Sequence, residues 1–286
     1  MAKLLILLTR IAWKVFRLDR KAYFRLLAAH YPGDLLSLAH ESRGISLWQP
    51  NDAGEQFLMA RVLQNIFESQ ICVVDIGANE GFYSELVHTA FPKATLYAFE
   101  PNPTAVEILK KNAGSYAHIF NVAVGSSNGT VKLYNSASLE TTRHGSIYPE
   151  SLEEFRGYSE VDYHEVPAIT LSDFLLETPV ERVDLLKIDV EGHEMQVLQG
   201  CKNELAKGVI RIIQFEFNDM NIISRVFLRD FFELLSNFDF YRLKPRSIQK
   251  LLYSPKEEIF QIQNILAVLK DDSLAEYFRT IAEDPA

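Results

Sequence analysis

Residues Ile71 to Pro103 read ICVVDIGANEGFYSELVHTAFPKATLYAFEPNP. The stretch opens on an apolar run, Ile71-Cys72-Val73-Val74, that ends on Asp75. Small residues follow at Gly77, Ala78 and Gly81. Phe82, Leu86, Val87 and Phe91 then recur at helical spacing until Pro92 stops the pattern. A second apolar run, Ala94 to Phe99, ends on Glu100. Strand, tight glycine turn, helix, strand and terminal acid make one half of a nucleotide-binding α/β unit.

Each part has a chemical reason. Gly77 and Gly81 let the backbone turn sharply and approach a ligand with no Cβ in the way. The helix after the turn offers unpaired N–H groups to a carboxylate or phosphate. Glu100, 19 residues after Gly81, can accept both hydroxyls of a ribose. The plainer alternative is an ordinary βαβ crossover whose glycines serve only the turn. The turn reads Gly77-Ala78-Asn79-Glu80-Gly81, which is G-x-x-x-G and not the dinucleotide fingerprint G-x-G-x-x-G. Glu80 would repel a pyrophosphate. A cofactor with an amino acid zwitterion and no phosphate, S-adenosylmethionine, suits this turn better.

Three segments, VVDIGANEGFYS from Val73, YAFEPNP from Tyr97 and LLKIDVEGHEMQVLQG from Leu185, carry a resemblance. Together they resemble the FkbM-type family of S-adenosylmethionine-dependent methyltransferases, over roughly Val73 to Phe217. The resemblance implies a Rossmann-like class I methyltransferase: a seven-stranded, mostly parallel sheet with helices on both faces. It implies that Asp75 and the turn residues Gly77, Ala78, Asn79 and Gly81 hold the methionine end. Glu100, with Pro101 and Asn102, would hold the ribose, and the segment of Asn121 and Ala123 would lie near the adenine. For Asn121 the alternative is a plain cap on a strand end.

The chain has 286 residues, 48% hydrophobic and 23% charged, with a net charge of −9. That is the composition of a soluble globular protein, and its acidity argues against nucleic acid as a bulk partner. The charge is uneven. Residues 1–25 carry seven basic groups and one acid, a net +6 that leaves −15 for the rest. Within them MAKLLILLTRIAWKVF is apolar, broken by Arg10 and Lys14, and too short to span a bilayer. No A-x-A-like site follows, so no cleaved leader is expected. Two readings stay open: a helix packed on the domain, or a basic amphipathic helix on the inner face of a membrane with Trp13 at the interface. Cys72 and Cys201 read as reduced core thiols of a cytoplasmic protein.

Residues 1–69 are expected as a helical extension, with Tyr23, Phe24, Leu26 and Leu27 as core contacts and a helix from Glu55 to Phe67. Residues 70–286 are expected as the cofactor-binding domain. Within it, 135–167 is a polar interruption rich in tyrosine, read either as an acceptor-binding loop or as a solvated hairpin. His118 to Val124 is predicted as a strand, Met195 to Leu205 as a helix, and Thr170 as the N-cap of a short helix with Asp173 in its first turn.

In an open α/β sheet, ligands bind beyond the C-terminal strand ends, where Asp75, Glu100, Asp189 and Glu216 fall. An acceptor hydroxyl must lose its proton during methyl transfer, so a base helps. His193 is the first candidate, because its ordinary pKa is near neutrality, and Asp189 the second. Asp189 could instead position the acceptor or the cofactor's amino group. Lys187 is expected to pair with a rim acid. Asp189, Glu191, His193, Glu216 and Asn218 include groups that a divalent ion could use, but with no tight ligand spacing. The expected activity is O-methyl transfer from S-adenosylmethionine to a hydroxyl of a sugar or related small molecule. The alternatives are a nicotinamide oxidoreductase and a non-catalytic glycan-binding protein of the same fold.

Overall fold

The computed structural model describes residues 34–46, 54–68, 70–136, 145–270 and 273–285. The basic helix expected within residues 1–25, the core contacts at Tyr23 to Leu27, and positions 137–144 of the polar interruption lie outside the described residues. The chain divides into two compact units, Met1–Ser42 and Arg43–Ala286. In the first, α1 is Leu35–Ser42. Its start is held by Asp34, whose carboxylate accepts from the Leu36 N–H and the Ser37 hydroxyl.

The second unit contains the sheet. α2 starts as Glu55–Phe57 and continues through a π-helical turn, Leu58–Val62, and a 3-10 turn, Leu63–Asn65. The quoted stretch supplies β1, Cys72–Ile76, α3, Phe82–Ala90, and β2, Thr95–Phe99. α4, Pro103–Ala113, begins with Asn102 as its cap and Pro103 as its first residue. β3 is Ala117–Phe120, β4 Ala123–Gly125, β5 Gly129–Ser136 and β6 Val161–Thr170. α5, Leu171–Glu177, is capped by Thr170, whose side chain accepts from the Asp173 N–H. Then come β7, Val183–Ile188, α6, Glu194–Gln199, α7, Lys202–Ala206, and β8, Ile210–Phe217. The last elements are α8, Met220–Ser224, α9, Leu228–Leu234, β9, Phe238–Lys244, β10, Ser247–Lys250, β11, Gln263–Leu269, and α10, Ser273–Ile281.

The main sheet has eight strands in the order β10-β9-β11-β8-β7-β1-β2-β3. β3, β2, β1, β7 and β8 are parallel, and β11, β9 and β10 add antiparallel. The expected seven-stranded sheet therefore gains a strand. Ser247–Lys250 is short and polar, and pairing with β9, not apolar alternation, makes it a strand. Successive residues face opposite sides. Val73, Leu96, Leu185 and Ile212 pack under α2, α3 and α10, whereas Val74, Ile76, Leu186 and Ile213 pack under α5, α6 and α9. Leu58, Met59, Val62 and Leu63 of α2 are thus part of the same core as the sheet.

Two expected elements differ, and a third takes one of its two expected forms. The strand read over 118–124 is split: β3 stays in the main sheet and β4 joins a second sheet, β4-β6-β5. The helix read over 195–205 breaks at Gly200, where a Cβ would stand 2.0 Å from the Gly125 carbonyl oxygen, so backbone approaches backbone. The interruption at 135–167 is a hairpin at its base, because β6 pairs antiparallel with β5 from Ser136↔Val161 to Gly129↔Ala168. Both cysteines are free, Cys201 buried and Cys72 half-buried.

Asp184 fastens the sheet where β7 begins. Its carboxylate accepts from the Cys72 N–H at 3.0 Å and from buried Arg211 at 2.9 Å. Asp184→Ala withdraws the carboxylate from a buried guanidinium, with an expected loss of about 3 kcal/mol. For a domain of this size that lowers the thermal midpoint by roughly 6–12 °C. An unchanged midpoint would show that Asp184 does not hold the strands together.

Candidate cofactor and active site

The register sets the site. Ile76 pairs with Phe99 on one side and Ile188 on the other, and Ile188 pairs with Phe215. Gly77, Glu100 and Asp189 therefore stand at one level, each one residue past a strand tip, and Glu216 joins that level from within β8. The chain leaves β1 for β2 and β3 on one side and returns to β7 on the other, so this level is also where the strand order reverses. Crevices that bind ligands form at such reversals.

The turn after β1 is built for close approach. Gly77 has φ +83, and a Cβ there would stand 1.8 Å from the Asp189 carbonyl oxygen. Gly81 has φ +93, and its Cβ would meet Leu109 at 2.8 Å. Asn79 is left-handed at φ +48, and its side chain accepts from the Glu80 N–H at 2.7 Å. The Gly77 and Ala78 amides both donate to the Phe99 carbonyl.

The acids at this level are buried or half-buried. Asp75 accepts from the Ser84 hydroxyl at 2.8 Å. Burial pushes its pKa up to about 7, against the pull of Ser84 and Lys187. Glu100 accepts from the Asn79 N–H at 2.9 Å and the Asn102 N–H at 2.8 Å. Burial pushes it, too, up to about 7, outweighing those two donors. Asn102 in turn caps α4. Asn121 donates to the carbonyls of Glu100 and Pro101, at 3.0 and 2.9 Å. It thus ties the end of β3 to the turn beside the tip acid, while Ala123 is buried in β4.

Lys187 is buried between Asp189, at 3.4 Å, and Glu55, at 3.5 Å. The expected pairing with a rim acid is thus present. Burial opposes its charge, but the carboxylates of Asp189, Glu55, Glu216 and Asp75 outweigh it and raise the pKa well above the lysine range. Gln214 joins Glu55, at 3.0 Å, to Asn264, at 2.9 Å, and accepts from the Tyr83 hydroxyl at 2.8 Å. Glu216, half-buried, accepts from the Asn218 amide at 3.2 Å, and burial beside Asp189 raises its pKa well above the carboxylate range. Asp189 reaches solvent, unlike Asp75 and Glu100, with 40% of its side chain exposed.

His193 is half-buried and starts α6 without capping it. Its Nδ1 lies 3.1 Å from the Tyr148 hydroxyl. Burial pushes its pKa down to about 4. The near-neutral value that recommends it as a base is therefore absent, and the ring is neutral at pH 7. Glu55, Gln214, Tyr148 and Arg156 stand at this site with no individual signal in the sequence. They come from distant segments, and only strand register and packing bring them here.

Among the described residues, no group of three or more His, Cys, Asp or Glu side chains is disposed to hold a metal. Nor, among these residues, is any described helix long and apolar enough to cross a membrane. Two open cavities, of about 550 and 680 Å³, lie away from the strand tips, one against α6 and α9 and one against α2 and the β9–β10 turn.

A reversing parallel sheet with a glycine turn and under-compensated acids at one level defines a class I, Rossmann-like nucleotide-binding protein. Residues 75–241 match the family described as the methyltransferase FkbM domain, and the chain belongs to that family. It is 30% identical over 186 residues to the 2-O-methyltransferase NoeI of Sinorhizobium fredii, covering 62% of this chain and 76% of that one. It is 32% identical over 160 residues to the methyltransferase sdnD of Sordaria araneosa, covering 46% and 61%. It is 28% identical over 168 residues to the hexuronic acid methyltransferase AglP of Haloferax volcanii, covering 56% and 62%. The chain thus spans about three quarters of the first relative and about three fifths of the other two.

The protein is an S-adenosylmethionine-dependent methyltransferase. The residues fit that cofactor on physical grounds. Asp75 and Glu100 are buried acids whose charge the protein leaves under-compensated. A ligand bringing an ammonium, a sulfonium and a ribose diol supplies the positive charge and donors they lack. The nicotinamide alternative has no support in this family.

Proposed function

We propose that the protein transfers a methyl group to an oxygen of a sugar or a related small hydroxylated molecule. The names of NoeI and AglP support the substrate class. The observation that carries the reading is the shared level of Gly77, Glu100 and Asp189, with the Asp189 side chain 40% exposed.

Asp75 and the Gly77–Gly81 turn would hold the methionine end of the cofactor, and Glu100 with its Asn102-capped turn the ribose. Asn121 and Ala123 would border the adenine. When bound, S-adenosylmethionine supplies a methyl group already activated by positive sulfur. The chain's task is then to align the acceptor oxygen and take its proton. Asp189 receives that proton, and the Lys187 ammonium at 3.4 Å orients the carboxylate. His193, neutral and buried on one side, orients the acceptor.

The test is incubation of the full chain with labelled S-adenosylmethionine and methyl glycosides of a hexose and a hexuronic acid. Label should appear on a sugar oxygen. Asp189→Asn should lower product formation by roughly 100-fold or more, while calorimetry still records cofactor binding. His193→Ala should also lower it without loss of cofactor binding. If Asp189→Asn keeps the wild-type rate, the proton goes elsewhere.

A further inference from the structure

The loop between β7 and α6, Asp189 to His193, is fastened from two sides. From within, the buried Glu194 accepts from the Gly192 N–H at 3.1 Å and the Val190 N–H at 3.3 Å. From outside, the hairpin between β5 and β6 reaches it at three points. The Ser146 hydroxyl donates to the Glu191 carbonyl at 3.2 Å. The Tyr148 hydroxyl meets His193 Nδ1 at 3.1 Å. A guanidinium nitrogen of Arg156 lies 3.1 and 2.9 Å from the two carboxylate oxygens of Glu191.

These contacts fall on an unusual backbone. Glu191 is a non-glycine residue at φ +52, followed by Gly192 at φ +97. A left-handed glutamate persists only where its surroundings hold it, and Arg156 grips that side chain. Gly125, not strained in φ, stands against the imidazole, where a Cβ would lie 3.1 Å from Nε2. Any side chain at position 125 would crowd that nitrogen.

The direction of the Tyr148–His193 bond decides what His193 can do. Burial pushes the Tyr148 pKa up, so the phenol keeps its proton. Burial also keeps the imidazole neutral. A neutral imidazole has one donor and one acceptor nitrogen. The phenol can donate to Nδ1 or accept from it, and in the donating arrangement the ring proton sits on Nε2.

We propose that Tyr148 and Arg156 are positioning residues that hold the Asp189–His193 loop and fix His193 as the Nε2–H tautomer, a hydrogen-bond donor to the acceptor and not its base. This rests on the methyl-transfer reading above and deepens it. Asp189 is then left as the proton acceptor, and His193 with its two partners sets how the acceptor oxygen is presented.

The experiment uses the full chain and begins without any acceptor. Ring ¹⁵N spectra should show His193 with Nε2 protonated and Nδ1 accepting, and Tyr148→Phe should abolish that preference. An Nδ1–H ring in the wild type, or an unchanged ring in Tyr148→Phe, overturns the proposal. Hydrogen exchange of amides 190–193 should accelerate by roughly ten-fold or more in Arg156→Ala, while β1 amides stay protected. Arg156→Lys, which keeps one cation beside Glu191, should restore part of the protection. Equal exchange in the wild type and Arg156→Ala counts against the clamp.

With the glycoside probes, Arg156→Ala and Tyr148→Phe should each lose about ten-fold or more in kcat, with affinity for S-adenosylhomocysteine unchanged. His193→Gln, which retains a side-chain N–H donor, should recover activity relative to His193→Ala. No recovery would return His193 to the role of base. A wild type that labels none of the sugars counts against the substrate class, whereas the ring spectra and exchange data still decide the positioning claim.

Discussion

Gly77→Ala should abolish cofactor binding and destabilise the domain together. The residue is left-handed at φ +83, and its missing Cβ would occupy a point 1.8 Å from the Asp189 carbonyl oxygen. The conformational term alone costs about 1 kcal/mol. The overlap is with backbone, and it cannot be relieved by a rotamer change. The tips of β1 and β7 must part, although the Asp189 N–H is bound to the Ile76 carbonyl at 2.9 Å. The expected cost is about 3 kcal/mol or more, a fall of roughly 6–12 °C in the thermal midpoint. Gly157 is the control, because it has φ +68 but nothing within 4 Å of its would-be Cβ. Gly157→Ala should cost only about 1 kcal/mol and leave binding intact. Calorimetry with S-adenosylhomocysteine and thermal unfolding measure both. Wild-type binding by Gly77→Ala would disprove the claim that this turn cradles the cofactor.

Cofactor affinity should fall steeply as the pH drops below about 7. Asp75 and Glu100 each hold a proton up to about 7 in the free protein because burial disfavours their charge. A ligand that brings positive charge to one and hydroxyl donors to the other favours the ionised carboxylates, so their pKa values drop on binding. Binding therefore releases protons. Below the free-protein pKa, each proton released weakens affinity by about ten-fold per pH unit. From about pH 7 to about pH 5.5 the cofactor's own α-amino group stays charged, so the effect belongs to the protein. Two groups together give up to roughly 100-fold per unit. Titration calorimetry in buffers of different ionisation enthalpy counts the protons directly. A flat affinity across that range, with no proton release, would mean that neither acid meets the cofactor. Glu100→Gln, which cannot ionise, should remove its share of the slope and weaken binding at pH 7.

The positions that the sequence made legible share one property: their chemistry is local. Gly77, Gly81 and the tip acids announce themselves because a turn of that shape needs glycine and a strand tip needs a reason to end on a charge. Thr170 and Asp173 read as a helix start for the same reason, and the helix starts there. The strand at Ser247–Lys250 was not legible, because it exists only by pairing with β9. The break at Gly200 is set by the Gly125 backbone 75 residues earlier in the chain. His193 looked like a base on the ordinary imidazole pKa, and its burial, which no local pattern reveals, removes that argument.

The residues by themselves determined a βαβ unit with a glycine turn, an acid at each strand tip, and a donor that is a charged nucleoside without phosphate. Periodicity, turn chemistry and the spacing of short motifs act over a few residues, and they can be read from the chain. Which acids are buried, that Asp189 reaches solvent while Asp75 and Glu100 do not, that Glu55 and Lys187 meet, and that a distant hairpin grips the Asp189–His193 loop were decided only by the tertiary structure. Those facts depend on strand order and register, which bring together side chains that no local pattern connects.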